Sequence, residues 1–230
     1  MKPNLTIKSL LFAVVALGAM AIQNASASTY GFENITNNNP SSIDVASQLS
    51  MDVTANGATG AFFKFYDNVG ITSSITDIYF DDVNPPATPL FVNSGANKFK
   101  FFGASSGVSF DSSASPANLP AGNTIGFTAN YSGDSNSGNP GVMANGVNKN
   151  TEWVTFLGTF ASGKDFNGLI AALNSGAFRV GLHVQSIGTA GKSDSFVDVS
   201  NVSAVPLPAA AWLFGSALLG FVSLSNRRKV

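Results

Sequence analysis

The chain of 230 residues contains no cysteine, one histidine and few charges, with Asp, Glu, Lys and Arg making up 11% of it. Without cysteine there are no disulfides, no thiol nucleophile and no thiolate metal site. A single imidazole, His183, excludes a zinc centre built on two or three histidines. No G-x-S-x-G elbow is present, so a Ser-His-Asp hydrolase has no sequence support. His183 falls beside Arg179 and Gln185 on one side of an alternating run, and reads as a solvated or hydrogen-bonded strand residue.

Cations are scarce where a nucleic-acid binder would need them. Five of the twelve Lys and Arg lie at the ends: Lys2, Lys8, Arg227, Arg228 and Lys229. Between positions 28 and 205, seven cations face all thirteen acids, a net charge near −6. That balance lacks the basic face that binds phosphates, so no nucleic-acid partner is expected.

What fills the chain instead is Asn, Ser, Thr and Gly, with 23 Gly and 19 Phe. Abundant Phe, Val, Ile and Leu exclude a disordered polymer. Short runs divided by Gly, Asn and Pro alternate with period 2, the pattern of half-buried strands. Leu49, Met51 and Val53 share a face, as do Phe63 and Phe65, Ile78 and Phe80, and Phe99 and Phe101. Ile125, Phe127 and Ala129 read as a further strand, and so do 152–160. The clearest run sets Phe178, Val180, Leu182 and Val184 against Arg179, Gly181, His183 and Gln185; 193–202 supplies a last strand. One segment has helical spacing: Phe166, Leu169, Ile170 and Leu173, with Asp165 as cap and Gly176 as stop. Asn56-Gly57 and Asn145-Gly146 are turn candidates, and 132–150 reads as a long polar loop. The expectation is mainly β: a single antiparallel β-sandwich, jelly-roll-like, with one short helix. A domain of about 175 residues buries a sufficient core without cross-links.

Both ends depart from this composition. Lys2 and Lys8 precede an apolar run, Leu10 to Ile22, followed by Ala25-Ser26-Ala27. That order predicts a secretory signal peptide over 1–27, with Ala25 and Ala27 in the signal peptidase pocket and Ser28 as the new N-terminus. At the other end no charge occurs from Val199 to Asn226. Pro208 suits a first helical position. A helix over 208–225 spans about 27 Å at 1.5 Å per residue, close to a hydrocarbon core of about 30 Å. Its strong apolar residues favour insertion by roughly 2 to 5 kcal/mol. Trp212 suits the outer interface, and Arg227, Arg228 and Lys229 suit the cytoplasmic side.

Val205-Pro206-Leu207-Pro208, the span with Trp212-Leu213-Phe214-Gly215-Ser216, and the basic end 227–229 together resemble a PEP-CTERM sorting signal. The form here is a VPLP variant, with Leu207 where the name-giving motif has glutamate. The stretches "SSITDIYFDD", "SPANLPAGNTIGF", "NGVNKNTEW" and "FRVGLHVQSIG…SDSFVDV" are similar to the ectodomain of one recurring group of PEP-CTERM proteins. The resemblance implies an ectodomain over 28–203 and a sorting signal over 204–230, found in exopolysaccharide-producing Gram-negative bacteria. It implies signal peptidase and an exosortase as processing enzymes. It places the protein at the cell membrane, or at the surface or in the extracellular matrix after processing. It carries no enzymatic activity with it.

Candidate chemistry is sparse. Asp81-Asp82, with Glu152 at a distance, is the one paired-carboxylate candidate for glycoside hydrolysis, and reads more simply as a turn. Asp134, Asn136 and Gly138 begin like a Ca²⁺ loop, but Asn145 stands at the closing acid position. No metal or cofactor is expected; Ca²⁺ on Asp81, Asp82, Asp194 or Asp198 is the alternative. Tyr66, Tyr79, Tyr131 and Trp153 are candidates for stacking on sugars. The expected function is that of a non-catalytic surface or matrix protein. A carbohydrate-binding module acting on exopolysaccharide is the first alternative, and an exported hydrolase the second.

Overall fold

A computed structural model describes residues 27–39, 43–68, 70–83, 88–92, 95, 99–135 and 142–199. The chain forms eleven strands and one α-helix among these residues: β1 (Ala27–Tyr30), β2 (Phe32–Asn34), β3 (Leu49–Asn56), β4 (Gly60–Asp67), β5 (Ser74–Asp82), β6 (Lys100–Ala104), β7 (Asp111–Ser112), β8 (Tyr131–Asp134), β9 (Val154–Thr159), α1 (Phe166–Ser175), β10 (Phe178–Ile187) and β11 (Lys192–Asp198). They build two antiparallel sheets, β1-β3-β4-β9-β6 and β2-β11-β10-β5-β8-β7.

The inward residues of alternate positions bring the sheets face to face, which makes the fold sandwich-like. Phe63 of β4 meets Phe80 of β5 at 5.4 Å between ring centroids and Phe178 of β10 at 5.9 Å. Phe156 of β9 lies 5.7 Å from Phe80. These rings are fully buried. Each contributes about 1.5–3 kcal/mol of burial, before any gain from ring geometry. Helix α1 starts as its sequence dictates: the Asp165 carboxylate accepts the Gly168 N–H at 2.8 Å. It stops at Gly176, whose φ of 72° suits glycine. Phe166, Leu169 and Leu173 are buried on its inner face.

The β3–β4 hairpin turns at Asn56-Gly57, with Gly57 at φ 58°. Asn145-Gly146 does a different job. It ends a 3-10 turn, Met143–Asn145, and Gly146 is needed because Ser74 Oγ and the Ile75 carbonyl crowd the place of a Cβ.

Two expectations are corrected. Ile125, Phe127 and Ala129 do not form a strand: Gly122–Ile125 is a 3-10 turn. Left-handed Ala121 and Gly126 bound it, and the Asn118 side chain bonds Phe127 O and Ala129 N in place of a ladder partner. The segment is a strap over the outer face of the six-stranded sheet, where Leu119 and Phe127 cover Tyr79 and Val197. The polar stretch 132–150 is likewise not all loop. Its first residues complete β8, and Val147 is buried in a bridge with Ile75. Residues 1–26 and 200–230 lie outside the described residues, so the signal helix, the 208–225 helix and the sorting motif do too. No helix among the described residues is long and apolar enough to cross a membrane.

Candidate functional site

The sequence-derived candidates separate. Asp81 is held by Arg179, whose Nε donates at 3.1 Å and whose Nη2 also contacts the same oxygen. Asp82 accepts the Leu90 N–H at 2.6 Å. Glu152 pairs with Lys149 at 2.9 Å and accepts the Asn148 N–H at 2.9 Å. Each acid therefore fixes a different turn or strap, and no contact joins Glu152 to Asp81 or Asp82. Asp194 accepts from Thr36 Oγ1, Asn38 N and Asn39 Nδ2 at 2.6–2.7 Å. Burial opposes its charge, but these donors outweigh burial and hold its carboxyl below the usual range. Asp198 is buried and accepts the Val180 N–H at 2.7 Å. Burial pushes it up to about 7, against the pull of that donor and of Arg179. It borders a pocket of about 240 Å³ with Glu33, Leu173 and Arg179.

Ala27 and Ser28 are the first residues of β1, paired with Thr54 and Val53. Ala25, Val205, Pro206, Leu207, Pro208, Arg227, Arg228 and Lys229 lie outside the described residues, as do Asn136, Gly138 and Trp212.

Register assembles one constellation that adjacency in sequence hides. His183 of β10 pairs with Asp77 of β5, Asp77 with Asp134 of β8, and Asp134 with Asp111 of β7. Paired residues of an antiparallel ladder share a face. This is the outer face, since Ile78 and Phe80 occupy the core. His183 Nδ1 lies 3.0 Å from Asp77 Oδ2, which also accepts from Thr76 Oγ1 at 2.9 Å. Asp77 and Asp134 are buried, with 0% and 1% of their surface exposed. Burial first, then the Asp77 charge, pushes Asp134 up to about 6, opposed by a Ser115 backbone bond. An open polar groove of about 600 Å³, lined in part by Asn38, Met143, Gln185, Lys192 and Ser193, opens on the β10–β11 hairpin. Among the described residues no set of three or more His, Asp or Glu side chains is arranged to hold a metal ion.

The other exposed feature is aromatic. Alternation in β4 puts Phe63 and Phe65 in the core and Phe62, Lys64 and Tyr66 on the outer face of the five-stranded sheet. Phe102, 57% exposed, lies 4.7 Å from Phe62 between centroids. Lys64 Nζ sits 4.3 Å from the Trp153 ring centroid and 5.1 Å from that of Tyr66. Of the four expected stacking residues, Tyr66 and Trp153 are on this face. Tyr79 is wholly buried and its hydroxyl donates to Pro116 O. Tyr131 stacks on Phe99 at 5.0 Å and its hydroxyl donates to Phe91 O. Burial removes Tyr79 as a stacking surface, and Tyr131 is only partly exposed. Phe62 and Phe102 extend the strip; their signal was an outward place in an alternating run.

No family model, no curated protein and no solved structure matches the chain, so the functional reading rests on its own residues.

Proposed function

We propose that this is an exported, non-catalytic protein of the cell surface or extracellular matrix, tethered in the membrane by its C-terminal segment or released from it by an exosortase. The ectodomain over 28–203 is a jelly-roll-like sandwich, a reading supported by the repeated passage of the chain between the two sheets. The observation that carries the proposal is the order Val205-Pro206-Leu207-Pro208, uncharged span, Arg227-Arg228-Lys229, joined to an N-terminal signal pattern. A non-catalytic role is supported by the acids Asp81, Asp82, Glu152 and Asp194, each engaged in bonds that hold the fold. Replacing Pro206 and Pro208 together by Ala tests the sorting half. Export should persist while C-terminal processing is lost; unchanged processing would refute recognition of the proline motif.

A second reading, binding of exopolysaccharide, is favoured by exposed Phe102 beside partly exposed Phe62 and Tyr66 on the outer face of the five-stranded sheet. Ring faces stack on the apolar faces of sugars. A glycan array probed with the full chain separates the two readings: selective retention supports the second, and none leaves the first.

A further inference from the structure

The row His183–Asp77–Asp134–Asp111 places two buried carboxylates side by side without enough donors to hold them. Asp77 spends Oδ2 on His183 Nδ1 and Thr76 Oγ1. Its Oδ1 is buried and has no hydrogen-bond partner. Asp134 accepts the Ser115 backbone N–H, yet its Oδ1 is buried and unpartnered as well. Each lost bond to a buried anion is costly, and two adjacent anions add repulsion in a medium where charge is poorly screened. Leu119 and Phe127 of the strap pack beside this row on Tyr79, which keeps water from spreading over the face.

A single cation bound by both side chains would remove both penalties at once. The ligand type is hard oxygen, and the one imidazole is already engaged with Asp77, which selects against the softer metals. Asp111, on edge strand β7 and exposed, is the register neighbour of Asp134 and gives an ion an anionic approach from solvent. We propose that Asp77 and Asp134 bind one Ca²⁺ ion between β5 and β8. Two protein carboxylates are fewer than a high-affinity loop uses, so the affinity belongs to the weak extracellular class, with a dissociation constant of about 10⁻⁴–10⁻³ M. The site is independent of the proposed sorting role and of any glycan.

The test is thermal unfolding of the full chain, purified in detergent, with EDTA or with 10 mM CaCl₂. Mass action at ten to a hundred times the dissociation constant raises the midpoint by about 3–10 °C for a domain of this size. Asp134→Asn keeps the shape and the acceptor for Ser115, and should abolish that rise. A rise that persists undiminished in Asp134→Asn puts the ion elsewhere and overturns the assignment. So does a wild-type midpoint that is the same with Ca²⁺ as with EDTA. Should the variant not fold, calorimetric titration of the wild-type chain with CaCl₂ decides: saturable heat in the millimolar range supports the site, and its absence refutes it.

Discussion

Arg179→Met should be among the most damaging single changes on the surface of the six-stranded sheet. The guanidinium lies against Asp81 through Nε and Nη2, and donates to Ile125 O at 2.9 Å and Gly126 O at 2.7 Å. It also lies 5.3 Å from the Phe127 ring centroid. One side chain thus ties β10 and β5 to the strap. The pair is well buried, with side-chain exposures of 18% and 3%. Methionine replaces the stem but leaves Asp81 with only the Thr128 N–H, at 3.2 Å, among its remaining hydrogen bonds. Breaking one side of a buried pair costs about 3–5 kcal/mol. At a urea m-value of roughly 2 kcal/mol/M, the unfolding midpoint falls by about 1.5–2.5 M. Adding Asp81→Asn in the Arg179→Met background removes the stranded charge and should recover at least about 1 kcal/mol. A loss under about 1 kcal/mol for the single variant, or strictly additive effects in the double one, would refute the claim that this pair pins the strap.

Two further outcomes follow from the same geometry. Asp198 has its folded-state pKa raised from 3.8 to about 7, so its proton stabilises the fold. That contribution, roughly 4 kcal/mol at most, is complete below about pH 4 and is lost as pH rises to about 7. Asp198→Asn should flatten the fall in stability between pH 4 and 7, leaving the slopes from Asp134 and Asp67, whose carboxyls burial also raises; an unchanged slope in urea titrations contradicts the assignment. On the opposite sheet, Phe102→Ala and Trp153→Ala should weaken any glycan retention several-fold, since stacking geometry contributes about 0.5–1.5 kcal/mol per aromatic contact. Equal retention by the variants argues that glycans bind elsewhere.

Much of the scaffold was readable from local pattern. Phe178, Val180, Leu182 and Val184 alternate as a one-sided strand and are all buried in the structure. Asp165 and Gly176 marked the ends of α1 because caps depend only on neighbours in sequence. The strap was misread because Ile125, Phe127 and Ala129 have strand spacing, while the left-handed residues around them do not announce themselves. The Asp77–Asp134 pair was hidden for a different reason. Its members are brought together by register, which period-2 patterning cannot assign when β5 is buried on both faces. Adjacency instead singles out Asp81 and Asp82, whose side chains point to opposite faces of a strand. The useful signal was Asp77, Tyr79 and Asp81 at alternate positions, one acidic-aromatic face in a strand otherwise made for the core. Tyr79 and Tyr131 show the converse: an aromatic with a hydroxyl invites a sugar reading, yet here each hydroxyl is spent on a backbone carbonyl.

Intact-mass spectrometry of the native protein, recovered separately from cytoplasm, membrane and cell surface, distinguishes an exported, processed chain from one kept inside the cell. The expected product is a chain that begins at Ser28, found with its C-terminal segment in the membrane fraction or cut near Val205–Pro208 at the surface. Recovery of the whole chain, Met1 to Val230, from the soluble cytoplasm would contradict export.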